Sequence, residues 1–381
     1  KAAGDIAYPA TIVPPYNSEF SEQSWPNGWK DIDPFQSYRE LFDGTLIASQ
    51  NEELIFTRGT NVGGEDLRVM VVHQLPRNGA GGYGSHGMTQ KQCDAYYMND
   101  GKDCPGMNDM YRGVDGYIGR CDSRQRAEGY VDENELSTYP ELGLLGVGVS
   151  KQYVQREPRF YASVAYNGST WHLLRALNDD NHNETENIQV FYYRGENNGY
   201  TNSSYWLKTG IGIKKYVHPN DISYTQKNSY DVERIERKVD IALRYGETLL
   251  IYAEALNEYD PGNPQIAWAA NQVRGRAGLP GVDQLTGNQV AMREKIREER
   301  RHEFVAEHKR YFDILRWKTA EKVLNEPGYG INKDEKAPIG DYSVEQFLGQ
   351  NRTFDASKHY LWPIPQSARD KNPNLGQNPN W

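Results

Sequence analysis

The chain has 381 residues, and its 43 Lys and Arg against 52 Asp and Glu give a formal net charge of −9. This acidic balance excludes broad binding to a phosphate backbone, so no nucleic-acid partner is expected: such binding needs clustered cations to displace counterions. No run of sequence approaches the ~20 apolar residues that span a bilayer, and the length suits one large core or two conventional ones.

Residues 1–235 are rich in Gly, Asn, Pro and Tyr and read as an irregular, loop-rich lobe, within which the apolar runs 53–57 and 160–166 predict short strands or bridges between loops. The segment GAGGYGSHG at 79–87 is too rich in glycine to hold one backbone conformation unaided and is expected as a surface loop. Cys93, Cys104 and Cys121 share one stretch without a CxxC pair or a Cys/His cluster at zinc spacing, which argues against a metal framework. An exported chain can pair two of them and leave one free, but nearness in sequence does not decide sulfur geometry. Asn99-Asp100-Gly101-Lys102-Asp103 and Asn108-Asp109 offer the oxygen ligands calcium prefers. Their spacing fails the twelve-residue calcium loop, and a tight Asp-Gly turn is the simpler account.

Aromatic residues make up 12% of the chain, with 27 Tyr and 8 Trp against 10 Phe. Rings with a polar handle suit wet, half-apolar ligands, and they equally suit the rim of a core.

Residues 236–381 change character. From Asp240, Ile241, Tyr245, Leu249, Tyr252, Ala253 and Leu256 recur at helical spacing and predict an amphipathic helix. After a turn at Asp260-Pro261-Gly262, Asn263 is placed to cap a second helix, with Pro264 in its first position. Its stripe is Ile266, Ala270, Val273 and Ala277, and Gly278 and Pro280 stop it. The pair has the size of one tetratricopeptide hairpin, which cannot bury its own face. Further helices are predicted over 289–308 and 311–324, and the prolines of the tail predict an extended strap.

The charged helix places Glu294 with Arg297, Lys295 with Glu299 and Glu298 with Arg301 as helix neighbours, so ion pairs explain it better than catalysis does. A general acid needs its pKa raised, whereas cations beside these acids favour ionisation. His302 and His308 lie six positions apart, not the four of a zinc-protease helix. Arg310, Asp313, Arg316 and Trp317 read as a structural stack of guanidinium, carboxylate and indole.

Several segments, in order, resemble the signature stretches of the SusD/RagB family. They are YRELFDGTLIASQNEELIFT at 38–57, MTQKQCDAYYMNDGK at 88–102, and QREPRFYASVAYNGSTW at 155–171, where Glu157 stands in place of the family's Asp. The helical half continues the resemblance with RYGETLLIYAEALNE at 244–258, NQVRGRAGL at 271–279, IREERRHEFVAEHKRYFDILRW at 296–317 and WPIPQSARDKNPNLGQNPNW at 362–381. The resemblance implies an α-rich α+β fold, in which a tetratricopeptide-like helical scaffold packs against a large irregular lobe. Family members also carry an N-terminal helical region that finds no counterpart among these segments.

It also implies non-catalytic capture of oligosaccharides or polysaccharides on the outer face of the outer membrane of Bacteroidota. No cofactor is expected; the partner is a SusC-like TonB-dependent transporter, and the membrane is held only through a lipid anchor outside this sequence. In the family the glycan site draws on loops of the irregular lobe together with residues of the N-terminal region, and sugars ask for flat apolar faces flanked by planar hydrogen-bonding groups. The candidates are Tyr83, Tyr111, Tyr117 and Tyr130 as stacking platforms, with Asn108, Asp109 and Arg112 as hydrogen-bonding partners. Trp171 reads as core, and Tyr192, Tyr193, Tyr200, Tyr205 and Trp206 form a reserve group. Two rivals remain: a glycoside hydrolase with carboxylates from distant loops, and a peptide-binding or structural protein.

Overall fold

The computed structural model describes residues 32–58, 67–77, 81–104, 129–138, 145–173, 186–196, 198–200, 206–221, 235–325, 328–331, 344–346, 353–372 and 374–381. In chain order these hold α1 (Pro34–Arg39), β1 (Leu54–Arg58), α2 (Leu67–Gln74), α3 (Gln90–Ala95), α4 (Glu133–Leu136), α5 (Pro158–Ser163), β2 (Val164–Ala165), β3 (Ser169–Leu173), β4 (Glu186–Val190) and β5 (Gly212–Ile213). There follow β6 (Asp240–Arg244), α6 (Tyr245–Tyr259), α7 (Gln265–Arg276), α8 (Gln289–Glu303), α9 (Arg310–Arg316), α10 (Ala320–Leu324), β7 (Tyr329–Ile331), β8 (Val344–Gln346) and α11 (Gln366–Lys371). The strands form antiparallel pairs, β1 with β6, β2 with β5, β3 with β4 and β7 with β8.

The strand expected at 53–57 forms, but its partner is the stretch expected to open the first long helix. Residues 240–244 are strand because helix α6 is capped from outside its own sequence. Tyr245 N donates to Glu53 O at 2.7 Å, and Gly246 N donates to the Glu53 carboxylate at 3.1 Å. These bonds satisfy free N–H groups of the first turn, where Arg244 supplies no side-chain cap. Helix α7 starts at Gln265, one residue later than its sequence predicts: Pro264 precedes the first helical residue, and Asn263 Oδ1 accepts from Gln265 N at 3.0 Å. Its stripe Ile266, Ala270, Val273 and Ala277 is buried. Leu249, Leu250 and Ala253 of α6, Ile266 and Val273 of α7, and Met292 and Ile296 of α8 share one apolar core. Tyr245 and Tyr252, assigned by spacing to the packed stripe, instead stand 47% and 43% exposed.

The third helix ends at Glu303, not 308, because the chain enters the left-handed region at Ala306 (φ 60°) and His308 (φ 60°). The helix expected over 311–324 is two, α9 and α10, divided where Lys318 takes φ 58°. The run 160–166 is mostly helix α5, opened by Pro158 at its first turn, with only Val164–Ala165 as strand.

The core of the lobe is aromatic. Tyr38, Phe42, Tyr96, Tyr153, Phe160, Tyr161 and Tyr166 are fully buried, with Tyr153 and Tyr166 ring centroids 4.8 Å apart and Phe160 and Tyr166 5.5 Å apart. Two of the hydroxyls find main-chain partners: Tyr161 Oη donates to Tyr153 O at 2.7 Å, and Tyr38 Oη to Glu303 O at 2.7 Å. Many tyrosines therefore serve the interior. Trp171, read as core, is 3% exposed.

Buried ions join α5 to the long helices. Arg159 meets Glu157 at 2.7 Å, Glu299 at 2.7 Å and Glu303 at 2.8 Å. Arg244 meets Glu53 at 2.7 Å, Glu303 at 2.7 Å and Glu307 at 2.8 Å, while Arg276 bonds both Glu303 and Glu53. Lys215 donates to the carbonyls of Glu303 and Val305, closing the C-terminal end of α8. Of the ion pairs expected within α8, Glu294–Arg297 forms at 3.0 Å. Lys295 pairs with Glu298 at 2.8 Å, and Glu299 turns inward to Arg159 and Arg274. Arg301 donates to Gln92 and to the carbonyl of Lys91.

Candidate functional site

Helix α2 buries Val71 and Val72 and leaves His73 half-buried in its last turn. The glycine-rich segment then folds back on that turn. Tyr83 N donates to Val72 O at 2.8 Å, Gly84 N to Leu75 O at 2.9 Å, and Ser85 N and His86 N to His73 O at 2.9 and 3.1 Å. So close an approach requires Gly82, because a Cβ there would sit 2.3 Å from Leu75 O. The glycines thus permit one hydrogen-bonded return, which supplies the outside support that the composition alone lacks.

The return assembles three half-buried rings. Tyr83 lies 4.9 Å from His73 at 56°, and His86 stacks on His73 at 5.1 Å and 18°. His73 Nδ1 and Ser85 Oγ are hydrogen-bonded at 2.8 Å. Burial, then His73 and His308, push the His86 imidazole below its usual range, which keeps this ring neutral at pH 7. The surface therefore combines flat ring faces with edge donors and acceptors. Sequence reasoning found Tyr83 but missed His73 and His86. Their only signal was one histidine ahead of the glycine-rich segment and one within it, which does not reveal that the segment folds back.

Tyr130 is half-buried, its backbone bridged to Ser150, and its hydroxyl is enclosed without a hydrogen-bond partner among the described residues. Tyr111, Tyr117, Asn108, Asp109 and Arg112 lie outside the described residues. The reserve group divides. Tyr192 and Tyr193 are core, whereas half-buried Tyr200 and Trp206 pack at 5.0 Å and 62° with the Arg194 guanidinium 6.0 Å from the Tyr200 ring. Tyr205 lies outside the described residues.

The acids of the ionic cluster are committed to cations. Burial alone would raise the Glu303 carboxyl, but Arg276, Arg244, Arg159 and Lys215 outweigh it and hold it well below the usual carboxylate range. His302 is enclosed between the rings of Tyr96 (5.3 Å) and Tyr97 (4.5 Å), and burial followed by nearby cations holds it neutral. Trp317 is stacked as expected, with Arg316 at 5.0 Å and Arg310 at 5.7 Å, and Arg297 at 4.9 Å completes the set. At Asp100-Gly101 the chain makes the expected turn: Lys102 N donates to Asp100 Oδ1 at 3.0 Å and Gly101 has φ 77°. Cys104 is disulfide-bonded and Cys93 is buried.

Residues 49–381 match the SusD family. The chain belongs to the SusD family. Among its relatives, SusD-like protein P2 of Formosa agariphila is 33% identical over 144 residues, covering 36% of this chain and 25% of that protein. A SusD-like protein of Bacteroides fragilis superimposes with a TM-score of 0.65 at 23% identity, over 94% of this chain and 60% of the other. A SusD-like carbohydrate-binding protein of the same species does so with a TM-score of 0.55 at 24% identity, over 89% and 57%. The chain thus spans a quarter of that curated relative and about three-fifths of those solved ones. The α-rich α+β architecture expected of the SusD family is the one observed. Among the described residues, no helix is long and apolar enough to cross a membrane.

Proposed function

We propose that this chain captures oligosaccharides or polysaccharides without cleaving them and delivers them to a SusC-like TonB-dependent transporter. The whole protein would be held at the outer face of the outer membrane by a lipid anchor. The observation that carries the reading is the ladder of Tyr83, His73 and His86, whose half-exposed faces are fixed by main-chain hydrogen bonds. Preset rings lose little freedom on binding, so stacking is not offset by ordering. Family membership supports the reading, as does a related fold that binds carbohydrate. Tyr130, Tyr111 and Tyr117 would add platforms, and Asn108, Asp109 and Arg112 hydrogen bonds, in the same irregular lobe.

Capture rather than hydrolysis is favoured by the commitment of Glu299 and Glu303 of α8 to arginines. A glycosidase needs one acid kept protonated opposite a second carboxylate, and Glu303 is held in the reverse condition. The test is affinity electrophoresis against a polysaccharide panel, with product analysis of the same mixtures. Retardation by a subset of glycans without release of reducing ends is the expected result; release of products would replace the reading with hydrolysis.

A further inference from the structure

The two ring groups of the lobe sit on segments that are stitched together. Gly87 forms an antiparallel bridge with Gly212, and Met88 N donates to Ile211 O at 2.7 Å. A Cβ at Gly87 would lie 2.5 Å from Thr209 Oγ1 and 3.4 Å from Leu207 Cδ1, so the segments touch with no room for a side chain between them. His86, the end ring of the ladder, precedes Gly87, and Trp206, paired with Tyr200, precedes Leu207. Each is one residue from the contact, which keeps their Cα atoms within about 16 Å of each other. Both groups are half-buried and present aromatic rings, and the Arg194 guanidinium lies 6.0 Å from the Tyr200 ring.

We infer that the ladder and the Tyr200–Trp206 pair are two subsites for one ligand, and that the preferred ligand is an extended stretch of several sugar units, not a mono- or disaccharide. The inference rests on the glycan-capture reading and specifies its ligand. One ring group holds a short saccharide weakly, because a single stacked unit gives little surplus over the cost of association. A second group on the same rigid seam engages the following units with no further loss of overall motion, so affinity climbs with chain length until both are filled.

The experiment is calorimetric titration of the full chain with malto-, laminari- and xylo-oligosaccharide series, each from disaccharide to octasaccharide. Affinity should rise with length in at least one series and then level off. His86→Ala should weaken every length. Trp206→Ala should spare the shortest ligands and remove the later gain, about tenfold for the longest, and Trp206→Phe should restore part of it while guarding against misfolding. If glycans bind and Trp206→Ala leaves the length dependence unchanged, the two-subsite inference fails while glycan capture stands. If no series and no polysaccharide binds the wild-type chain, both fail together.

Discussion

Glu303 shows how one residue joins the two halves of the molecule. Its carboxylate takes Arg159 from α5, Arg244 from the end of β6 and Arg276 from α7, and its carbonyl accepts from Tyr38 and Lys215. Removing one member of a fully buried set leaves the others uncompensated. Glu303→Gln should therefore cost about 3–5 kcal/mol in urea unfolding, whereas a merely decorative pair would cost less than about 1 kcal/mol. The same cluster sets an acid limit. Glu303 and Glu307 have carboxyls held below their ordinary value by arginine and lysine in spite of burial. Their contribution is complete above that ordinary value, near pH 4.5, and is lost as pH falls through the folded-state values. Glu157 and Glu298, raised by burial, act in the opposite sense. Unfolding followed from pH 7 to pH 3 should show stability falling below pH 4.5 in the wild type, with a shallower fall in Glu303→Gln. Thiols give a separate check. Of the three cysteines, Cys104 is disulfide-bonded and Cys93 is buried. The native protein should give no rapid thiol titre, and the denatured, unreduced protein one thiol; three would mean no disulfide.

At the scale of elements, what was legible in the sequence was what depends on neighbours within a turn or two. Helix α7 could be placed to within a residue from its stripe and stop, because Ile266, Ala270, Val273 and Gly278 carry that instruction locally. Helix α6 could not be started correctly, because its first N–H groups are satisfied by Glu53, which lies far off in the chain. Glu53→Ala should fray that first turn and cost about 2–3 kcal/mol through the lost cap and the unpaired Arg244 and Arg276. Hydrogen exchange should report it at residues 246–249 and leave α7 unaffected. The break at Lys318 was equally invisible, since no glycine marks its left-handed backbone. Tyrosine count left surface and core equally open, and Tyr96 and Tyr97 serve the core, whereas Tyr245 and Tyr252, assigned by spacing to the packed stripe, lie exposed.

Over the whole molecule, family and fold class were readable because many short segments recur in order across most of the chain, and residues 49–381 match the SusD family accordingly. The candidate site was readable only in part. Tyr83 was found in the glycine-rich segment, but its companions His73 and His86 come together through a backbone return that no periodicity encodes. The central claim is that this fixed ladder contributes directly to sugar binding. Its most direct test is calorimetry of the glycan retained most strongly in the panel, comparing wild type with Tyr83→Ala and His73→Ala, each verified as folded by its unfolding midpoint. A loss of about tenfold in affinity for each variant, with stability little changed, is the predicted result. Wild-type affinity in both folded variants would contradict it and move the site elsewhere on the lobe.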